Sequence, residues 1–385
     1  MRPFLTHEVG SLAKPIWRVK AIRNEELKDE DINEAIKWAK ILEIKDQIEP
    51  LLVLLKKRKN FTIEEKKEII SFSSFYATKL LEKTGIDLIF DGEQHRAEMY
   101  EYPIKNIEGF EFRGYVRSFD YKFFKKAACI GEIKLKNFYH EEEFKKIQTF
   151  TNKPIKIPIT GAYTLVDWSF DEYFIKKINY EKNTKLKKLY AKQNFLKEIS
   201  DKIIHPILLN LKELGAKFIQ IDEPASSAKP NELNLFFDSL TNSIKETYKD
   251  IFYTIHICFS NYRLLFPYLP RIQNIVKELH LEFANRDTTE LGLSDKKRIG
   301  YELLDELKNY NFIIGLGVLN VHTDFVEPIE LIKDRILYAY EKIKDPHKIF
   351  IAPDCGLRTR SWEIAFKKLT NMVEARNLAI KEIGL

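Results

Sequence analysis

The sequence has 385 residues, 44% of them hydrophobic and 31% charged, a composition that is typical of a folded globular protein and excludes a disordered chain. The net charge of +6 is small and spread along the chain, which argues against nucleic-acid binding, and three cysteines are too few for a disulfide framework. Because no apolar run approaches the roughly 20 residues of a membrane span and no signal-peptide pattern opens the chain, we expect a cytoplasmic protein that binds no membrane.

Short apolar runs rich in β-branched and aromatic residues predict strands that are buried on both faces, as in a parallel sheet. In chain order these runs are residues 86–91, 155–160, 217–222, 252–258, 278–283, 312–318 and 348–352. The opening segment, residues 4–9, is an eighth and less regular candidate.

Amphipathic stretches rich in Lys and Glu separate most of these strands and have helical spacing. They are residues 31–57, 62–83, 185–212, 231–249, 294–308 and 328–344. Eight strands that alternate with helices predict an α/β fold, and specifically a (β/α)8 TIM barrel. An open, doubly wound sheet is the competing architecture.

The segment from about residue 99 to residue 151 interrupts the alternation. It is aromatic and charged, with short alternating pieces such as Gly109 to Arg113, which predict a β-hairpin inserted between the second and third strands. No repeat, low-complexity tract or Pro/Gly-rich linker marks a boundary. We therefore expect one catalytic barrel over residues 1–385 with an insertion at approximately 99–151.

Residues that can bind a metal follow three predicted strands. His256 and Cys258 are two positions apart in one strand and share a face, Glu282 lies near the end of the next, and Cys355 follows the last. Soft sulfur ligands with one imidazole favour Zn²⁺, and ligands from separate strands suit a catalytic site at the barrel mouth. Taken alone, a His-x-Cys pair such as His256 and Cys258 in a strand is usually an ordinary buried core pair.

Further polar residues at strand ends could bind an amino acid. Carboxylates such as Glu93 and Asp222 could hold its ammonium group, and Ser11 with nearby backbone N–H groups could hold its carboxylate. Trp168 could stack on a flat ligand, and His322 could donate a proton to a leaving group. The alternatives are helix caps or surface charges for the first three, a core tryptophan and a neutral loop histidine.

Together these residues resemble the catalytic barrel of cobalamin-independent methionine synthase over nearly the whole chain. The matching pieces are Gly10-Ser11, Asp91 to Met99, Ile159 to Gly161 with Trp168 to Phe170, Ile219 to Ala225, His256 to Cys258, Glu282, Gly315 to His322, Pro353 to Leu357, and Thr359-Arg360. Uroporphyrinogen decarboxylase is similar in fold, but that family is metal-free.

The resemblance implies a zinc-dependent methyltransferase that methylates homocysteine to methionine. It implies zinc ligation by His256, Cys258, Glu282 and Cys355. It also implies homocysteine binding through Ser11, Glu93 and Asp222. Trp168 then matches a residue that stacks on the folate pterin, and His322 matches the family's proposed acid near the methyl donor.

Departures from the family pattern bear on the methyl donor. The chain has room for one barrel, like the short archaeal or core form of the family, whereas full-length members carry two. The family's folate-contacting Glu falls on Ala228, and an acidic residue two before the active-site His is Asn320. Residues 323–328 also differ from the folate pattern. These departures favour a methylated corrinoid, either methylcobalamin or a corrinoid protein, with methyltetrahydrofolate as the alternative.

Two other functions remain open at this point. A different thiol such as coenzyme M could be the acceptor, although a sulfonate would favour basic groups where Glu93 and Asp222 lie. A non-catalytic zinc-storage or partner protein is the second, and the presence of both the metal ligands and the substrate acids argues against it.

Overall fold

The computed structural model of the protein describes residues 2–117 and 123–385. Its strands are β1 (Ile107–Arg117), β2 (Phe123–Leu135), β3 (Lys156–Thr160), β4 (Phe170–Asp171), β5 (Phe218–Asp222), β6 (Phe252–Ile257), β7 (Glu278–Leu281), β8 (Ile313–Leu319) and β9 (Ile349–Pro353). Its α-helices are α1 (Ile16–Arg23), α2 (Asp29–Ile41), α3 (Glu49–Leu55), α4 (Ile63–Thr84), α5 (Glu101–Lys105), α6 (Glu141–Gln148), α7 (Ala162–Asp167), α8 (Phe174–Lys177), α9 (Thr184–Ile199), α10 (His205–Glu213), α11 (Leu233–Ile244), α12 (Leu304–Leu307), α13 (Ile329–Ile343) and α14 (Trp362–Glu382).

The main sheet is parallel, and its strand order β3-β5-β6-β7-β8-β9 follows the order of the chain. A doubly wound sheet reverses its strand order at a switch point, and this sheet has no reversal among its described strands. The prediction of an α/β fold with a parallel sheet is therefore confirmed, and the doubly wound alternative is wrong. In β3 and β9 every residue is buried, as expected for strands covered on both faces.

The predicted strands 4–9 and 86–91 form isolated bridges rather than strands. Thr6 bridges Ile351 of β9, His7 bridges Leu88, and Ile89 bridges Ile155 immediately before β3, all in parallel orientation. Each segment pairs over only two residues because its neighbours leave the extended conformation: Phe4 has a φ of 47° and Gly92 a φ of 64°. These bridges connect β9 back to β3.

Several predicted helical stretches are divided or shortened in the structure. Stretch 31–57 divides into α2 and α3, and stretch 185–212 into α9 and α10 with a π-helical turn at Ser200–Ile204. Stretch 294–308 contains only a 3-10 turn at Ile299–Tyr301 and the short helix α12. Gly300 in this turn lies so close to the backbone of Asp287 that a Cβ atom added to it would be 2.7 Å from the Asp287 nitrogen. The long α14 was not among the predicted helices.

Capping explains the limits of the regular helix α4. The Thr62 side chain accepts the N–H of Glu65 at 3.2 Å, and the Glu65 carboxylate accepts the N–H of Thr62 at 2.7 Å, a reciprocal capping box. The helix ends at Gly85, whose φ of 86° favours glycine.

A second sheet lies in the segment between the bridged residues 88–89 and β3. Strands β1 and β2 pair antiparallel, from Ile107 opposite Leu135 to Arg117 opposite Phe123, and the short β4 joins β2 in parallel. Helices α5 and α6 flank this hairpin within the predicted stretch 99–151. Residues 118–122 of that stretch lie outside the described residues.

Among the helices of the described chain, none is long and apolar enough to cross a membrane.

Gly315 of β8 lies where the interior of the main sheet has no room for a side chain. A Cβ atom added there would lie 2.7 Å from Cβ of His280 and also against the Glu278 carboxylate. We expect Gly315→Ala to lower the free energy of unfolding by about 2 kcal/mol, because an overpacked core must shift its neighbours. Gly131→Ala is the control, since its added Cβ would have its nearest neighbour at 3.7 Å. Equal urea midpoints for the two variants would contradict this packing.

Candidate active site

Eight of the nine predicted site residues line a single cavity, and Glu282 is the exception. Most of them lie at or just after the C-terminal end of one of the parallel segments, because parallel strands direct all their carboxyl ends to the same side of the sheet. The lining includes Ser11, Glu93, Trp168, Asp222, His256, Cys258, His322 and Cys355.

An imidazole and two thiols form a compact cluster at the bottom of this cavity. The ligand atoms of His256, Cys258 and Cys355 all lie within 4.8 Å of one another. Sγ of Cys355 is 3.4 Å from Nε2 of His256. His256 belongs to β6, Cys258 follows it directly, and Cys355 follows β9, so the register of separate strands brings the three together.

The cluster favours a thiolate at one of its two sulfurs. A hydrogen bond from Cys258 holds the pKa of the Cys355 thiol well below its usual value, and the neighbouring His256 lowers it further. The same contact, together with burial, raises the pKa of Cys258. Burial disfavours a charged His256, but the negative charge and hydrogen bond of Cys355 outweigh it and raise the pKa of that imidazole.

Glu282 lies beside the cluster but outside the group of three. Its Oε2 accepts hydrogen bonds from the Phe259 N–H at 3.2 Å and from Nδ2 of Asn285 at 2.8 Å. Its Oε1 is fully buried and has no hydrogen-bond partner among the described residues. Burial, with the charge of Cys355, raises the pKa of this carboxyl to about 8. A buried carboxylate oxygen without a partner is costly unless a cation binds it.

These residues fit a Zn²⁺ ion. Two sulfurs and one imidazole nitrogen supply the ligand types that zinc prefers, and the unpartnered Oε1 of Glu282 is an available fourth donor. His256 directs Nε2 at Cys355, while its Nδ1 forms a 2.7 Å hydrogen bond with Nδ1 of His280. His280 thereby orients the imidazole, as outer partners do in metal sites. Sequence reasoning did not single out His280, although its position two residues before Glu282 places it on the same face of β7.

Two carboxylates stand at the other side of the cavity. Asp222 ends β5, and burial raises the pKa of its carboxyl to about 7. Glu93 follows Gly92 in a left-handed turn, with a φ of 57°, which directs its side chain toward Gly10. Ser11 is next to Gly356, since a Cβ at Gly356 would collide with the Ser11 hydroxyl. The cavity therefore has an acidic side formed by Asp222 and Glu93, and the Ser11 hydroxyl lies in the same lining.

Trp168 caps helix α7 and forms one wall of the cavity. Its ring lies 5.2 Å from the ring of Phe124 in β2 and 6.2 Å from that of Tyr100. Helix α7 is held in turn by the buried Glu223, whose carboxylate accepts the N–H of Tyr163 at 3.1 Å and that of Thr164 at 2.8 Å. The hairpin thus supports the aromatic wall.

His322 lies at the rim, on the loop after β8, and its side chain is 39% exposed. Its Nε2 is 4.0 Å from Oε1 of Glu282, and its ring lies 4.6 Å from the ring of Phe259. Oδ1 of Asn320 accepts a hydrogen bond from the His322 backbone N–H at 2.9 Å. Asn320 thereby stabilises the loop that carries the His322 imidazole. An imidazole at this position can exchange protons with both the cavity and solvent.

Several residues of the site were missed by sequence reasoning. Phe259, Arg358 and Thr359 line the cavity. Asp354 is fully buried and accepts the backbone N–H groups of Phe283 and Ala284 at 3.0 Å and of Asn285 at 2.6 Å. Its position directly before Cys355 was the available signal, but its partners lie about 70 residues earlier in the chain and only the fold identifies them.

Known proteins are similar to this chain over most of its length. A family model described as "Cobalamin-independent synthase, Catalytic domain" matches residues 48–377. The methionine synthase of Thermoplasma volcanium is 40% identical over 330 residues, which cover 83% of this chain and 92% of that protein. The methionine synthase of Pyrococcus abyssi is 32% identical and covers 98% of this chain and 93% of its own length.

A solved structure is similar in fold. It is the B12-independent methionine synthase from Shewanella sp. W3-18-1 in complex with selenomethionine, which matches 99% of both chains with a TM-score of 0.74 at 20% identity.

Asp354 holds the turn after β7 and the segment of Cys355 in one arrangement. We expect Asp354→Asn to lower the free energy of unfolding by about 2 kcal/mol, because an amide nitrogen would face backbone N–H groups that now bind a carboxylate. Urea unfolding is to be measured above the pKa of about 7 to which burial raises this carboxyl. Asp345→Asn is the control, since Asp345 is a partly exposed helix cap and Asn caps equally well. Similar losses in both variants would sink this role.

Proposed function

Because this chain belongs to the cobalamin-independent methionine synthase family, we propose that its cavity transfers a methyl group to the thiol of homocysteine and releases methionine. One observation carries the proposal: the cluster of His256, Cys258 and Cys355 shares a cavity with the carboxylates of Glu93 and Asp222. The cluster suits a thiol, and the carboxylates suit the α-ammonium group of an amino acid. The sulfonate group of a thiol such as coenzyme M would instead face these acidic side chains, which carry the same sign of charge.

The metal in this proposal is Zn²⁺, with His256, Cys258, Cys355 and Glu282 as its ligands. Support comes from the compact cluster and from the buried Oε1 of Glu282 without a partner among the described residues. When bound, zinc supplies a positive charge that keeps an incoming thiol deprotonated at neutral pH. Glu282 would be the weakest of these four donors toward zinc, because its oxygens are harder donors than sulfur and its Oε2 already accepts hydrogen bonds from Phe259 and Asn285.

The protein's own residues bind and orient homocysteine. Glu93 and Asp222 bind the ammonium group, and the Ser11 hydroxyl with neighbouring backbone N–H groups binds the α-carboxylate. With both charged groups of the α-carbon held, the side chain would direct its sulfur toward Cys258 and Cys355 across the cavity. Fixing the thiol opposite the methyl donor converts an encounter of two substrates into a reaction within one complex.

The second substrate is the methyl donor, which we propose to bind between Trp168 and His322 at the rim. The family description, cobalamin-independent, favours methyltetrahydrofolate over the methylated corrinoid that the sequence analysis preferred. Trp168 offers a flat aromatic face for a pterin ring, and a folate leaving group needs a proton. Nε2 of His322 would supply that proton, held near Oε1 of Glu282. Ala228 and Asn320 are then tolerated substitutions.

We infer the finer architecture on the same basis. The bridges at Thr6, His7 and Ile89 support a closed (β/α)8 barrel, and one catalytic domain over residues 1–385 with the hairpin segment 99–151 as an insertion. Packing of Phe124 on Trp168 supports a role for this hairpin in shaping the donor side of the cavity. A cytoplasmic location is part of the proposal, because two free thiols as ligands require a reducing compartment.

A direct assay tests the proposal. Zinc-loaded protein is given homocysteine with either methyltetrahydrofolate or methylcobalamin, and methionine is quantified by mass spectrometry with an isotopically labelled methyl group. We expect labelled methionine from methyltetrahydrofolate. Product from methylcobalamin alone would overturn the folate donor and keep the acceptor. No product with either donor, from protein that contains zinc, would overturn homocysteine methylation.

The zinc assignment can be tested without turnover. We expect Cys355→Ser to weaken zinc binding by more than about 100-fold, because a hydroxyl replaces the thiolate of the cluster. Metal content is measured by mass spectrometry after competition with a chelator. Cys129→Ser is the matched control, since Cys129 is a buried thiol of β2 outside the cluster. Retention of zinc by the Cys355 variant at the level of the control would rule out this metal site.

A further inference from the structure

A chain of buried polar groups lies behind the acidic side of the cavity, in the interior of the main sheet. The Lys156 ammonium of β3 is 2.8 Å from Nδ1 of His7, and Nε2 of His7 is 2.7 Å from Oε1 of Glu278. Thr254 of β6 donates to Oε2 of Glu278 at 2.6 Å. On its other side Lys156 donates to Oε1 of Gln220. All five side chains are at most 1% exposed.

Gln220 links this chain to Asp222, two residues further along β5 and on the same face. Its Nε2 donates to Oδ1 of Asp222 at 2.7 Å and to the carbonyl oxygen of Val9 at 2.5 Å. Its Oε1 accepts from Lys156, so both ends of the amide are engaged.

Lys156 determines which way the Gln220 amide points. An ammonium group has only donors, so it requires the amide oxygen. A flipped amide would place its NH₂ against Lys156 and its oxygen against both the Asp222 carboxylate and the Val9 carbonyl. Each of those contacts is repulsive, and such contacts are costly between buried groups. The orientation of the amide therefore follows from a charge located 64 residues earlier in the chain.

The consequence falls on the Asp222 carboxylate. Gln220 donates a hydrogen bond to Oδ1 of Asp222 and so restricts rotation of the carboxylate about the Cβ–Cγ bond. Oδ2 is then the oxygen that can face a ligand in the cavity that Asp222 lines. Buried groups held in this way lose little entropy when a ligand binds.

We propose that Gln220, oriented by Lys156, is a positioning residue that sets the Asp222 carboxylate for the ammonium group of the acceptor. It thereby makes the enzyme prefer amino-acid thiols over thiols without an amine. The inference rests on the proposed function, in which Asp222 binds that ammonium group. It adds a selectivity device that lies entirely within the buried interior and does not touch the substrate.

The test compares two thiols that differ only in the amine. Homocysteine and 4-mercaptobutanoate share the thiol and the carboxylate, and their dissociation constants are measured by calorimetry on zinc-loaded protein. We expect Gln220→Met to weaken homocysteine binding about tenfold, because Asp222 loses a charge-assisted hydrogen bond that orients it. Binding of 4-mercaptobutanoate should stay within about twofold of the wild type, a difference too small to correspond to a hydrogen bond.

Controls separate positioning from damage to the fold. Thr254→Val removes a buried hydrogen bond at the far end of the same chain and should leave the preference for homocysteine unchanged. In an Asp222→Asn background, Gln220→Met should cause no further loss of preference, because Gln220 acts through Asp222. Gln220→Asn keeps an amide in the interior but is one methylene too short to span both partners, and it replaces Gln220→Met if that variant does not fold.

The outcomes distinguish this inference from the proposed function. A wild-type protein that binds both thiols equally would overturn the proposed function, and the role of Gln220 with it. A preference for homocysteine that is present in the wild type and survives in the folded Gln220 variant would overturn the role of Gln220 alone. A preference lost in the Gln220 variants and kept in Thr254→Val would support it.

Discussion

The site depends on one contact, the approach of the Cys355 sulfur to the His256 imidazole in a buried pocket. Two thiols and an imidazole lie within 4.8 Å of one another, and their contacts lower the pKa of the Cys355 thiol and raise that of the His256 imidazole. Negative charge is costly away from water unless a cation or several donors compensate it. The donor types of the cluster fit the metal ion proposed above, and much of the surrounding structure holds its members in place.

That support comes from groups distant in sequence. Asp354 accepts three backbone N–H groups after β7 and so joins the Cys355 segment to the turn that carries Glu282. His280 binds Nδ1 of His256 and directs Nε2 at Cys355. Because hydrogen bonds to a buried charge are stronger than neutral ones, a few such contacts are enough to fix the geometry. The cluster is rigid for this reason, while His322 stands on an exposed loop at the rim.

A second group of buried polar residues lies behind the cavity, in the interior of the main sheet. Lys156, His7 and Glu278 place ionisable groups inside the main sheet, where hydrocarbon side chains usually pack. Apolar residues there would be as stable or more so, since a buried ion pair rarely repays its desolvation. What the charges provide is orientation, because Lys156 determines the Gln220 amide and Gln220 determines Asp222. The fold is less stable than an apolar interior would make it, but the Asp222 carboxylate is held in a single orientation, as at many functional sites.

Residue type and position along the chain were sufficient to predict the α/β fold and to name eight of the residues that line the cavity. Apolar runs of strand length are local signals, and polar residues such as Asp222 and Cys355 directly after them are local as well. Tertiary structure decided what local signals cannot encode. The runs 4–9 and 86–91 pair over two residues only, stretch 294–308 yields to the close approach of Gly300, and Glu282 lies beside the cluster rather than within it. These outcomes depend on atoms brought together from distant parts of the chain, because packing and hydrogen bonds act through space and not along the sequence.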